Sequence, residues 1–154
     1  MVYPARSGRF SAKAVPRNGV QIRIGRTKMK AIVCEEFGPL DDLVYKDVPD
    51  LEPGDGQVLI RTEAAGVNYP DGLTVQGLYQ VKPDRPFTPG SEVAGEIVAL
   101  GDGVTRFKTG DRVVTYCSGG YAELAVGNEA TCFALPDGMD AADACAMIIA
   151  WGTS

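Results

Sequence analysis

The sequence predicts a mainly β domain with short helices, and three observations carry that expectation. Short runs of alternating apolar and polar residues recur from Met29 onward. Turn signals built on glycine and proline separate them, and the chain holds 19 glycines and 10 prolines in 154 residues. Apolar residues make up 45% of the chain, enough to fill one domain's core. Closely spaced strands of this kind are the pattern of a sandwich or a barrel.

Residues 30–35 read as a first strand and Phe37-Gly38-Pro39 as a turn. Residues 43–49 form a second short strand that ends at Pro49, and a turn over Glu52-Pro53-Gly54-Asp55-Gly56 follows. Residues 57–67 alternate over a full strand length. The next stretch, 68–77, changes character. Asn68 is a good helix cap, Pro70 suits a first helical turn and Asp71 favours the positive helix end. A one- to two-turn helix is expected there, then an irregular loop over 78–89.

Pro89-Gly90-Ser91-Glu92 forms a tight turn that pins a polar pair, Ser91 and Glu92, at the mouth of the next strand. That strand is expected to point Val93, Gly95, Ile97 and Ala99 to one side, and Ala94, Glu96, Val98 and Leu100 to the other. Glu92 is expected to hold the turn or an arginine. Gly101-Asp102-Gly103 reads as a hairpin turn. Residues 111–117 make a strand, Ser118-Gly119-Gly120 a turn, 121–126 the partner strand, and 130–135 one more. Asp140, with Asp143 three residues on, opens a helix that is apolar nearly all round, so burial against another layer is expected.

Charge is unevenly placed. Residues 1–28 carry seven of the 15 Lys/Arg and no acid, which leaves eight bases against 20 acids in the remainder. An acidic body of that kind argues against nucleic acid as a partner, and no apolar run is long enough to span a membrane. For residues 1–28 three readings stand: a transit peptide, weakened by Pro16 and several glycines; a basic tail for an anionic surface; and a disordered extension upstream of a folded unit that starts at Met29. The third is the expectation adopted. It places the chain in the cytoplasm, with mitochondria as the alternative if 1–28 is a transit peptide.

Cys34, Cys117, Cys132 and Cys145 contain no C-x-x-C pair, so finger- or ribbon-type zinc sites are not expected. Their apolar surroundings favour buried free thiols in a reducing compartment. The chain has no histidine, which excludes histidine-based triads and histidine metal ligands.

Two motifs then make a specific resemblance. Gly90-Ser91-Glu92-x-x-Gly95-x5-Gly101-x-x-Val104 resembles the G-H-E-x-x-G pattern of zinc alcohol dehydrogenases, with Ser91 in place of the histidine. Gly66-Val67-Asn68-x-x-Asp71 resembles their G-[IV]-C-x-x-D, with Asn68 in place of the cysteine. Together with Gly77-Leu78-Tyr79, these are similar to the zinc-free quinone oxidoreductase (zeta-crystallin-like) branch of the medium-chain dehydrogenase/reductases.

The resemblance implies a GroES-like, partly open β-barrel as the first of two domains. A Rossmann domain for NADPH would normally follow, and no G-x-G-x-x-G after a strand occurs in these residues. The division it implies is 1–28 as extension, 29–138 as the catalytic domain and 139–154 as the helix leading to a cofactor domain.

In function, the resemblance implies NADPH-dependent reduction of a small-molecule quinone or enone without zinc. Asn68 and Thr153 would lie near the nicotinamide, and Tyr79, then Tyr69, are the candidate proton donors. A chain lacking the cofactor domain is expected to be inactive alone, and any homo-oligomer would depend on that domain. Two alternatives stay open: an enoyl-thioester reductase of the same superfamily, and a stand-alone GroES-like binding module.

Overall fold

The computed structural model describes residues 28–152. The expected extension over 1–28 lies almost wholly outside them, as does Thr153. Six strands and two α-helices make up the architecture. β1 (Lys28–Val33) and β2 (Val44–Pro49) form an antiparallel two-stranded sheet. β3 (Gln57–Ala65), β4 (Glu92–Leu100), β5 (Arg112–Cys117) and β6 (Leu124–Ala134) close into a small barrel. The mainly β, GroES-like expectation is borne out.

The barrel interior is packed by Val58, Ile60, Val93, Ile97, Val113, Ala125 and Cys132, all without solvent exposure. Burying each branched side chain of this kind contributes about 1.5–3 kcal/mol relative to leaving it exposed. A second cluster lies outside the barrel wall, where α2 (Ala141–Gly152) lays Ala141, Ala144, Cys145 and Ile148 on Ala64, Ala94 and Val114. Asp140 opens this helix as expected, its Oδ1 accepting from the Ala142 N–H at 2.8 Å. Small residues on α2 let it sit close, so one apolar face is covered while Met147 stays half exposed. Arg112 braces the same corner, pairing with Glu63 at 2.7 Å and donating to the Met139 carbonyl at 2.9 Å.

Three local expectations need correction. The expected partner of residues 111–117, strand 121–126, and the expected separate strand 130–135 are instead largely parts of one continuous strand, β6. β6 pairs with β3 through its first half (Arg61↔Leu124 to Gln57↔Asn128) and mainly with β5 through its second (Val113↔Ala134 to Thr115↔Cys132). Gly127-Asn128-Glu129, which read as a break, is the point where the strand passes from one neighbour to the other, and this passage closes the barrel. On β4, the strict alternation fails near Val98, because a bulge shifts the register from Leu59↔Ala99 to Ile60↔Ile97. Val98 and Ala99 therefore both pack on the Met29, Leu59 and Leu124 cluster. Finally, Gly101-Asp102-Gly103 does not form a β4–β5 hairpin. It folds against the β2–β3 turn, with Gly56 N–H donating to the Asp102 carbonyl at 2.7 Å and Gly101 N–H to that of Gln57 at 2.8 Å.

Candidate functional site

The site forms where the end of β3, the start of α1 (Tyr69–Val75) and the mouth of β4 meet. β3 ends at Ala65, and Val67 is exposed before Asn68 caps α1. Asn68 and Asp71 form a capping box, in which Asp71 Oδ2 accepts from the Asn68 N–H at 2.8 Å. The sequence expectation of a helix capped by Asn68 is met.

Asp71 does more than cap. Its side chain is buried and also accepts from the Ser91 hydroxyl through Oδ1 and from the Tyr121 hydroxyl at 2.9 Å through Oδ2. Three neutral donors around one carboxylate satisfy a charge that burial would otherwise penalise. Tyr121 is fixed by its backbone as well: its N–H donates to the Pro89 carbonyl at 2.9 Å, and its carbonyl accepts from Ile32 at 2.9 Å. The ring lies over Gly90, where a Cβ would stand 2.6 Å from the ring carbon Cδ1 and where φ is +103°. Only glycine meets both demands. Burial raises the pKa of the Tyr121 phenol, and the Asp71 charge adds to the shift. A hydroxyl held neutral and committed to a carboxylate is a poor proton donor.

Glu92 is 2% exposed. Its Oε1 accepts from Asn68 Nδ2 at 2.9 Å and its Oε2 from the Ile149 N–H at 3.0 Å. Among the described residues its side chain pairs with no arginine and bonds to no group of the Pro89-Gly90-Ser91 turn, so the expectation that Glu92 holds the turn or an arginine gives way to a link between Asn68 and α2. The nearby arginines are committed elsewhere: Arg61 pairs with Glu96, Arg85 with Glu36 and Arg112 with Glu63. Glu92 reaches inward past Gly66, away from the surface where those pairs form.

The structure thus brings together Asn68, Asp71, Ser91 and Glu92, and adds Tyr121. It does not bring in the candidate proton donors. Tyr69 is 81% exposed at the first position of α1, and Tyr79 is 37% exposed on the loop after it. Neither hydroxyl takes part in a hydrogen bond among the described residues. Thr153 lies outside them. Tyr121 escaped the sequence reading because nothing local marks it: its role arises from pairing across the fold to Pro89 and Ile32. The Ile149 amide was equally hidden, since a backbone group carries no sequence signal.

As a metal site, the constellation is poorly supplied. The side chains at the two positions that resemble zinc ligands point their hydrogens at carboxylates: Asn68 Nδ2 at Glu92 and Ser91 Oγ at Asp71. Among the described residues no group of three His, Cys, Asp or Glu side chains is placed to hold an ion. Burial is the main cause that pushes the pKa values of Cys117 and Cys145 up to about 12.

Comparison with known proteins follows the same lines. Residues 54–137 match the alcohol dehydrogenase GroES-like domain family. The quinone oxidoreductase of Rattus norvegicus is 42% identical over 133 residues, covering 84% of this chain and 40% of its own. Among solved structures, the human synaptic vesicle membrane protein VAT-1 homolog-like protein superposes with a TM-score of 0.79 at 33% identity, over 82% of this chain and 41% of that one. A mycobacterial protein solved in complex with NADPH gives a TM-score of 0.73 at 36% identity, over 79% and 38%. This chain therefore spans about 40% or less of the length of the curated relatives it matches. It belongs to the alcohol dehydrogenase GroES-like domain family, in the quinone oxidoreductase-like branch of the medium-chain dehydrogenase/reductases.

Proposed function

We propose that this chain supplies the substrate-side domain of a zinc-independent, NADPH-dependent quinone or enone reductase. The observation that carries the proposal is the Asn68–Glu92 and Ser91–Asp71 pairing. At the two positions that resemble the zinc ligands, this chain has built a closed hydrogen-bond network between neutral side chains and carboxylates.

NADPH, when bound, supplies the hydride. The chain's residues then have to hold the acceptor, exclude water and deliver a proton. Without a Lewis acid, an acceptor whose charge delocalises is favoured, which is why a quinone or enone is proposed over a simple ketone. Asn68, half-buried at the mouth, is the nicotinamide contact, with Thr153 as a second. Tyr79, exposed on the loop beside α1, remains the first candidate to protonate the product, and Tyr69 the second. Tyr121 is set aside because its hydroxyl already serves Asp71.

In this reading residues 29–138 form the catalytic domain and 139–154 lead toward a cofactor domain; the family match ends at residue 137. Its four free thiols, three of them buried, fit a reducing, cytoplasmic setting.

The test is a chimera joining this chain to the remaining portion of the rat quinone oxidoreductase. NADPH oxidation is followed with 1,2-naphthoquinone and, separately, with an enoyl thioester. Turnover of the quinone above the thioester is expected. A folded chimera that oxidises NADPH with neither acceptor would sink the proposal, and a preference for the thioester would move the chain to the enoyl reductases.

A further inference from the structure

We propose that Glu92 is a positioning residue of this site: its carboxylate fixes the orientation of the Asn68 carboxamide and ties it to the last turns of α2. The two oxygens of one buried side chain serve two elements far apart in sequence. Oε1 takes the Asn68 Nδ2 hydrogen at 2.9 Å and Oε2 the Ile149 N–H at 3.0 Å. A carboxylate only accepts, so the carboxamide can approach it only by its NH2 end. Flipping Asn68 would set two acceptor oxygens against each other in a buried place. The capping box with Asp71 holds the same residue from the other side.

The space for this arrangement is provided in the sequence. A Cβ on Gly66 would stand 1.8 Å from Oε1 and 2.6 Å from the carboxyl carbon. On the far side, Ile149 lies inside α2, and its N–H donates to the carboxylate at 3.0 Å. Thr153 follows four residues later in the chain. A single side chain therefore links Asn68, read above as a nicotinamide contact, to Ile149 in α2. The consequence for a ligand rests on that reading. The hydrogen-bond linkage itself does not.

The pair can be inverted, which gives the test. Glu92→Gln leaves one acceptor oxygen and one NH2 where two acceptors are needed, so either the Asn68 carboxamide turns over to accept, or Asn68 Nδ2 or the Ile149 N–H faces a donor. Adding Asn68→Asp lets the new amide at position 92 donate to a carboxylate at position 68 while its oxygen keeps Ile149, with net charge unchanged. In the 15N-labelled 154-residue chain, Glu92→Gln is expected to shift the Asn68 side-chain or Ile149 amide signal and to speed hydrogen exchange there about tenfold or more. Amides inside the barrel, such as that of Ile60, should stay as they were. The double variant should return Ile149 to its original protection. Unchanged signals at both groups in Glu92→Gln, or, where Ile149 loses protection in the single variant, a double variant no better there, would overturn the proposal.

A second arm separates positioning from mere packing. Reduced nicotinamide mononucleotide is titrated into the folded unmodified chain and both variants, with the same spectra as readout. Glu92→Gln is expected to weaken binding about tenfold, and the double variant to stay weak although Ile149 is protected again, because a carboxylate has replaced the carboxamide. Unweakened binding in Glu92→Gln would reduce Glu92 to a packing role and overturn the positioning claim. If the unmodified chain shows no response to the probe, the nicotinamide reading fails, and the exchange results still decide the Glu92–Asn68 linkage on their own.

Discussion

The carboxylate of Glu92 fills the space that a side chain at position 66 would need: a Cβ there would stand 1.8 Å from Oε1. Real non-bonded contacts do not come so close, so Gly66→Ala has to displace Glu92 and with it the bonds to Asn68 and Ile149. Overpacking of a buried site costs about 1–3 kcal/mol, and disturbing a charged hydrogen bond adds about as much. Chemical denaturation of Gly66→Ala should show a loss of at least ~2 kcal/mol. A loss under ~0.5 kcal/mol would mean that Glu92 can move aside freely.

Asp71 is the hub of the second half of the site, taking hydrogens from Ser91, Tyr121 and the Asn68 backbone. Asp71→Asn removes the charge from all three bonds and introduces an NH2 that is met only if a hydroxyl turns to accept, so a loss of about 2–3 kcal/mol is expected. Tyr121→Phe removes only one bond and should cost about 1.5 kcal/mol. Because both act on one network, the double variant should fall short of the sum. Additive losses in urea unfolding would show that Tyr121 and Asp71 do not depend on each other.

How much of this was legible from residues alone differs by element. The helix at Asn68 was, because cap, proline and acidic first turn stand within four residues of one another. The strand Gln57–Ala65 was, because alternation is local. The passage of β6 from β3 to β5 was not. Gly127-Asn128-Glu129 has the composition of a turn, and only closure of the barrel keeps it extended. Within the site, Asn68, Ser91 and Glu92 stood out through motif spacing. Tyr121 and the Ile149 amide did not, since each is brought in by contacts across the fold, 50 residues from Asp71 and 57 from Glu92.

The buried thiols give a pH prediction with a definite sign. Cys117 and Cys145 stay protonated in the fold up to about 12, against an ordinary value of 9.0, chiefly through burial. Between these values the unfolded chain loses protons that the folded chain keeps. Stability from these groups is therefore intact below pH 9 and falls as pH rises toward 12, by about 1.4 kcal/mol per pH unit for each thiol at most. Cys145, at 1% exposure, is the cleaner case. Denaturant unfolding at pH 8 and pH 10.5 should show a loss that is smaller in Cys145→Ala than in the unmodified chain. An equal loss in both would remove Cys145 from the effect. The same burial should leave Cys145 unlabelled by iodoacetamide at pH 8 in the native protein.

The last prediction concerns proton delivery. Tyr121 is excluded by geometry: its hydroxyl donates to Asp71 at 2.9 Å, and burial beside that charge raises its pKa. Tyr79 has the opposite situation, at 37% exposure with its hydroxyl free of hydrogen bonds among the described residues. It stands on the segment joining α1 to the mouth of β4 and can turn toward an acceptor without breaking a bond. In the chimera with the rat enzyme, Tyr79→Phe should therefore slow quinone turnover about tenfold or more, a loss of ~1.4 kcal/mol in transition-state stabilisation. The effect should fall on kcat, with KM for the quinone little changed, since a proton donor acts in the transition state. Tyr69→Phe, at 81% exposure, is the control and should stay within about threefold of the unmodified chimera. If Tyr79→Phe is silent and Tyr69→Phe is slow, the roles are reversed; if both are silent, the proton comes from water and neither tyrosine is catalytic.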